Sequence, residues 1–300
     1  MNQLNQLNQH SVNMTALLLR VGLGLVFVIG GISKLNLLLD ASTQTAMVAN
    51  YMGTSGYINE LFQDFLFSAG LLSPWTFLTA LSSFELLSGI ALISGFLVRP
   101  LALLYAFLLW SFVVSLPVDT VPGASVGVDT YTSPAIFVQI RDITLSGMMF
   151  VLFNLGSGYK SIDQRLRTEN LIVNWDALGL LLRLSLGITF IIAGLFGDYA
   201  KIQSFATYQP LLLALGGLLI FAENQLLKAT AVVCTGVLVW YILQKISFDK
   251  SLIANLNGVK REFALLAASM VLALFSGGAR FTFKQIVKRS RLYLSLNLNQ

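Results

Sequence analysis

The chain has 300 residues, of which 56% are hydrophobic and 11% charged, with 19 Lys and Arg against 14 Asp and Glu. A soluble domain carries about 25% charged residues, so this composition, with a mean hydropathy of +0.75, excludes one and indicates a protein whose solvent is lipid. The single cysteine and single histidine leave no Cys-x-x-Cys for thiol exchange, no zinc ligand set and no histidine pair for haem.

In chain order, "MNQLNQLNQHSVNM" (1–14) reads as a short disordered tail. No basic region precedes the first apolar run, so the first helix is expected to stay in the mature chain. The apolar runs are continuous rather than alternating, which predicts helices and not a barrel, since lipid offers the backbone no hydrogen bonds. Spans are predicted over 15–34, 74–98, 101–118, 135–155, 177–197, 208–222, 229–246 and 262–279. The sixth has a short apolar core, Leu211 to Ala222, for a span of about 20 residues. Between the first two spans, Ile58, Leu61, Phe62, Phe65 and Leu66 recur at helical spacing, predicting an interfacial helix with one apolar face down. The loop "VDTVPGASVGVDTYTSP" is punctuated by Gly and Pro and reads as irregular. Residues 281–300 form a basic tail that suits anionic lipid.

Lys and Arg accumulate on the cytoplasmic side of a membrane. With both termini inside, 12 of the 19 basic residues fall there. The expected location is therefore a bacterial plasma membrane, crossed several times, with both termini cytoplasmic. The net charge of +5 is then mainly a topology signal and gives no reason to invoke nucleic acid.

The chain also repeats itself. "LLLRVGLGLVFVIGGI" from Leu17 lies over "LLLRLSLGITFIIAGL" from Leu180, matching Arg20 with Arg183, Gly24 with Gly187 and Gly31 with Gly194. "IRDITLSGMMFVLFNLGSG" lies over "KREFALLAASMVLALFSGG", matching Arg141-Asp142 with Arg261-Glu262. The predicted fold class is all-α, a polytopic membrane protein of two tandem four-helix bundles, one over 15–167 and a diverged one over 175–280. Four spans per unit is an even number, so both copies face the same way, about an axis along the membrane normal. The glycines let helices approach closely. "GLGLVFVIGG" sits inside an apolar helix and not at a strand-to-helix turn, so it is no dinucleotide motif. Cys234, in an apolar run, reads as a small buried residue.

Ionisable side chains in lipid cost about 2.5–3.5 kcal/mol on insertion scales, so each needs a reason. Arg20, Lys34 and Arg99 stand near predicted helix ends and can snorkel to the interface. Glu85 cannot, being roughly 16 Å from one end of its span and roughly 20 Å from the other at 1.5 Å per residue. Arg141, roughly 9 Å into the fourth span, is within reach of it, and Asp142 follows directly. Glu85 reads either as an interhelical anchor, as a proton-carrying or ligand-orienting group, or as part of a permeation path.

"LLLRVGLGLVFVIGGISKL", "ELLSGIALISGFLVRPLALL" and "NLGSGYKSIDQRL" together resemble the start, middle and end of the DoxX family, small four-helix membrane proteins that include the DoxD subunit of thiosulfate:quinone oxidoreductase. The resemblance covers roughly 15–167. It implies a membrane subunit of an oxidoreductase assembly that works with quinone beside a soluble redox partner; the chain shows no haem, flavin or metal motif of its own. The site residues expected on this reading are Glu85, Arg141 and Asp142, with Arg20 as a further quinone contact. The competing expectations are a small-solute or ion permease and a non-catalytic assembly protein.

Overall fold

A computed structural model describes residues 8–52, 57–115, 135–166, 173–195, 209–288 and 291. Its helices are α1 (Gln9–Leu38), α2 (Gln44–Met52), α3 (Glu60–Phe67), α4 (Pro74–Ser94), α5 (Val98–Ser115), α6 (Ala135–Leu155), α7 (Ile162–Leu166), α8 (Trp175–Leu195), α9 (Gln209–Phe221), α10 (Asn224–Lys245) and α11 (Leu252–Phe275). No strand occurs among the described residues. The protein is an all-α polytopic membrane protein.

Among the described residues, five helices, α1, α4, α5, α8 and α10, are long and apolar enough to cross a membrane. α9, at 13 residues, is short, as its sequence predicts. α11, at 24 residues, falls outside that set because Lys260-Arg261-Glu262 lie in its first half; α6 has 21 residues, with Arg141-Asp142 in its first half. The two largest boundary differences from expectation are at helix starts. α1 starts at Gln9, inside the stretch expected to be disordered, because the Asn8 side chain caps it by accepting from Ser11 N. α11 starts ten residues before the predicted span, at Leu252, where the Ser251 side chain accepts from Ala254 N.

The other ends follow from local chemistry. α4 opens with Ser73 as its cap and Pro74 in the first turn, and stops at Gly95, whose φ of 76° is a left-handed conformation that a side chain would resist. α3 exposes Leu61 and Phe65, the apolar face expected at the interface. α2 packs over the ends of α1 and α4, with Leu38, Met47, Ile58 and Leu78 forming a small cluster beneath it.

α1 lies between α4 and α11, and α8 lies between α9 and α6; α5 pairs with α6, and α10 with α11. The α1–α4 and α8–α9 crossings use glycine pairs. A Cβ on Gly24 would stand 3.0 Å from the Gly89 carbonyl oxygen, and one on Gly187 would stand 3.1 Å from the Gly216 carbonyl oxygen. Backbones this close leave no room for a side chain and gain dispersion along the whole contact. One core runs through both halves, with Leu19, Leu23, Met148 and Leu152 continuous with Leu182, Leu186, Ala268 and Leu272.

Candidate functional site, a charged cluster between the halves

Glu85 lies on α4, eleven residues after Pro74, and is 4% exposed. Its Oε2 is 2.5 Å from Lys34 Nζ on α1. Lys34 was placed at the interface by counting from the predicted end of the first span, but α1 continues to Leu38. That extension puts the lysine a full turn inside the helix, where its stem reaches the carboxylate. The pair resolves the main electrostatic problem of the chain, since removing one member would leave a buried, uncompensated charge.

One turn after Glu85, Ser88 Oγ is 2.5 Å from Tyr105 Oη on α5 and also donates to the Phe84 carbonyl. Tyr105 is fully buried and stacks on Phe27 of α1 at 3.7 Å between ring centroids. The carboxylate, a serine and a tyrosine therefore follow one another along the interior of the first half. Tyr51 of α2 feels the charges of both Glu85 and Arg261, and burial pushes its hydroxyl well above the ordinary tyrosine value. α2 thus covers the cluster from the loop end.

The other acids meet bases from the second half. Asp142 Oδ1 on α6 is 3.2 Å from Arg261 Nη2 on α11. Arg141, 4% exposed, lines a narrow cleft with Asn257, Gly258, Lys260, Arg261 and Glu262. Lys260 Nζ donates to Asn257 Oδ1 at 2.7 Å. The Glu85–Arg141 pairing that depth counting allowed is therefore replaced by Lys34 at Glu85, while Arg141 faces α11. Among the described residues, the cluster sets Lys34, Arg141, Lys260 and Arg261 against Glu85, Asp142 and Glu262.

Arg20 is elsewhere. Fourteen residues separate it from Lys34 on α1, roughly 21 Å along the axis. Its guanidinium donates to the carbonyls of Tyr159 (2.6 Å) and Lys160 (3.0 Å) in the turn after α6. Arg183 does the same work after α11, donating to Gly277, Gly278 and Arg280 carbonyls and, through Nε, to Leu219 O at 3.1 Å. Both arginines satisfy carbonyls of the turn that follows a helix, and Arg183 also that of Leu219 in the last turn of α9. Lys34, Ser88, Tyr105 and Lys260 are the cluster members that sequence reasoning missed. The Ser251 cap would have revealed Lys260 by extending α11 toward it.

An all-α, multi-pass membrane bundle with paired charges in its interior is the class that this geometry defines. The model of the DoxX family matches residues 15–116, about a third of the chain, from within α1 through α5. Over that segment the chain is similar to the DoxX family. No curated protein matches the chain, and no solved structure does.

Proposed function

We propose that this protein is the membrane subunit of a quinone-linked oxidoreductase assembly, in which Glu85 carries the proton exchanged with the quinone. The observation that supports this most is the Lys34–Glu85 pair at 2.5 Å inside the apolar bundle. A carboxyl group is a proton donor or acceptor by its chemistry, and the neighbouring ammonium holds this one in a fixed place. Quinone reduction takes up two electrons and two protons. Electrons come from a soluble redox partner, while this chain positions the headgroup and moves protons. The cleft beside Arg141 has no room even for a water, so a quinone would approach Glu85 laterally, along the α4–α5 face where Leu87, Ile90, Leu104 and Phe107 are exposed.

The same reading treats the halves as two copies of one unit, facing the same way in a bacterial plasma membrane, with both termini and the 156–176 loop cytoplasmic. The recurrence of helix pairings and of the arginine clamps in each half supports it. Reporters fused after Asp163 and after Gln300 should both score as cytoplasmic.

The test of the quinone role is Glu85→Gln. The amide keeps shape and hydrogen bonding, so the variant should fold, retain quinone binding within about tenfold and lose quinone-linked turnover by about a hundredfold or more. Full turnover in a well-folded Glu85→Gln protein would make Glu85 a packing group. Uptake of a small solute by proteoliposomes of the wild type, without quinone binding, would favour a permease.

A further inference from the structure

Most glycines of α1 are required by close packing. A Cβ on Gly22 would meet Ala267 Cβ at 2.5 Å on α11, and one on Gly31 would meet Leu86 N at 2.7 Å on α4. Gly30 is different. A Cβ there would have nothing nearer than 3.6 Å, an ordinary van der Waals distance. Alanine would fit, and glycine within a helix costs about 1 kcal/mol relative to alanine. Packing therefore gives no reason for Gly30.

The atoms around that space supply one. The nearest are Glu85 Oε2, from α4, and Lys260 Nζ, from α11, each 3.6 Å from the position a Cβ would take, which bounds their separation at twice that distance. α1 is sandwiched between α4 and α11, and Gly30 is where side chains from the two outer helices face each other across it. Lys34, on the same helix, holds the carboxylate from the adjacent turn.

We propose that Lys260, contributed by the second half, is a positioning residue for Glu85, and that the missing side chain at Gly30 is what lets its ammonium reach the carboxylate. Glu85 then has two alternative cations, Lys34 within its own half and Lys260 from the other. Small rotations of the lysine stems transfer the carboxylate between them, and Asn257 holds Lys260 when it is withdrawn. The second half thereby completes a site whose carboxylate belongs to the first. The consequence for turnover rests on the proton-carrying role of Glu85; the geometry does not.

The test treats membranes containing the full chain with a hydrophobic carbodiimide, which joins a carboxylate to an amine directly, and identifies the products by mass spectrometry. Wild-type protein should give both Glu85–Lys34 and Glu85–Lys260 linkages. Gly30→Ala should fold normally, keep the first linkage and reduce the second severalfold. Lys260→Met should lower quinone-linked turnover about tenfold, Lys260→Arg should restore most of it, and Lys260→Met should have no further effect once Glu85 is Gln. A Lys34 linkage without a Lys260 linkage overturns the proposal. Should neither linkage form, the thermal midpoints decide, because strictly additive effects of Glu85→Gln and Lys260→Met also overturn it. A Lys260 linkage in a protein that binds no quinone leaves this inference standing and removes the quinone reading instead.

Discussion

The two halves share a frame and differ in what fills it. Arg20 and Arg183 close the turns after α6 and α11, and Gly24–Gly89 and Gly187–Gly216 bring the same helix pairs together. α5 and α10 even begin beside residues with matching positive φ, Leu97 at 51° and Asn224 at 50°. The register set by the glycine pairs places Leu212 opposite Glu85 and Leu215 opposite Ser88, both leucines being buried. In the second half, the counterpart of Lys34 along the sequence repeat is Gly197, so acid and base are missing together. A buried ion pair is exchangeable for apolar packing as a unit, whereas half of one is costly. Features that hold helices together recur, while the acid–base pair and the serine beside it give way to leucine and glycine in the second half.

The comparison is broken most severely at the arginines. Arg183→Met would leave several backbone carbonyls without donors, each at about 1–3 kcal/mol, and should abolish folded protein in detergent. Arg20→Met, with fewer carbonyls to lose, should lower the thermal midpoint while some folded protein survives. Size-exclusion chromatography of fluorescent fusions measures both.

Next in size is the ion pair. Lys34→Met alone should destabilise by about 3–5 kcal/mol, and adding Glu85→Leu should restore most of the loss by making the first half resemble the second. A double variant no more stable than Lys34→Met would show that the halves tolerate polarity differently for a reason other than charge pairing. Thermal midpoints in one detergent are sufficient.

Smaller and equal effects are expected at the crossings. Gly89→Leu and Gly216→Leu should each cost about 1–3 kcal/mol by forcing their helices apart, while Gly217→Ala, with open space around it, should be neutral or stabilising. Smallest is Asp142→Asn. The amide keeps the shape of the carboxylate and still accepts from Arg261, whose side chain is 23% exposed, so the loss should be about 1 kcal/mol.

Helix identity was readable because apolar runs of spanning length admit one backbone solution. Glu85 was readable as the residue needing a partner, because counting residues along a helix gives its depth. The partner was not readable. Depth ranks candidates by height, but azimuth depends on how helices rotate against one another, and the side of α1 that Lys34 occupies is fixed by glycine contacts with α4 that only packing reveals. Lys260 and Arg261 were hidden for a simpler reason: a span predicted to begin at 262 leaves them in a loop, while the helix beginning at Leu252 carries them two turns inside.

The contact of α1 with α11 also has a meaning in time. α1 leaves the ribosome first among the long helices, and the helix that covers one of its faces is the last of them to be made. At about 5–20 residues per second, the interval between them is roughly 10 to 50 s. Throughout it, the Gly22 face of α1 waits in the bilayer without the α11 residues that cover it, and Asp142, made midway, waits for Arg261 through the rest. The nascent chain must therefore be held in a state that the finished protein never shows, and the last helix acts as the clasp that ends it.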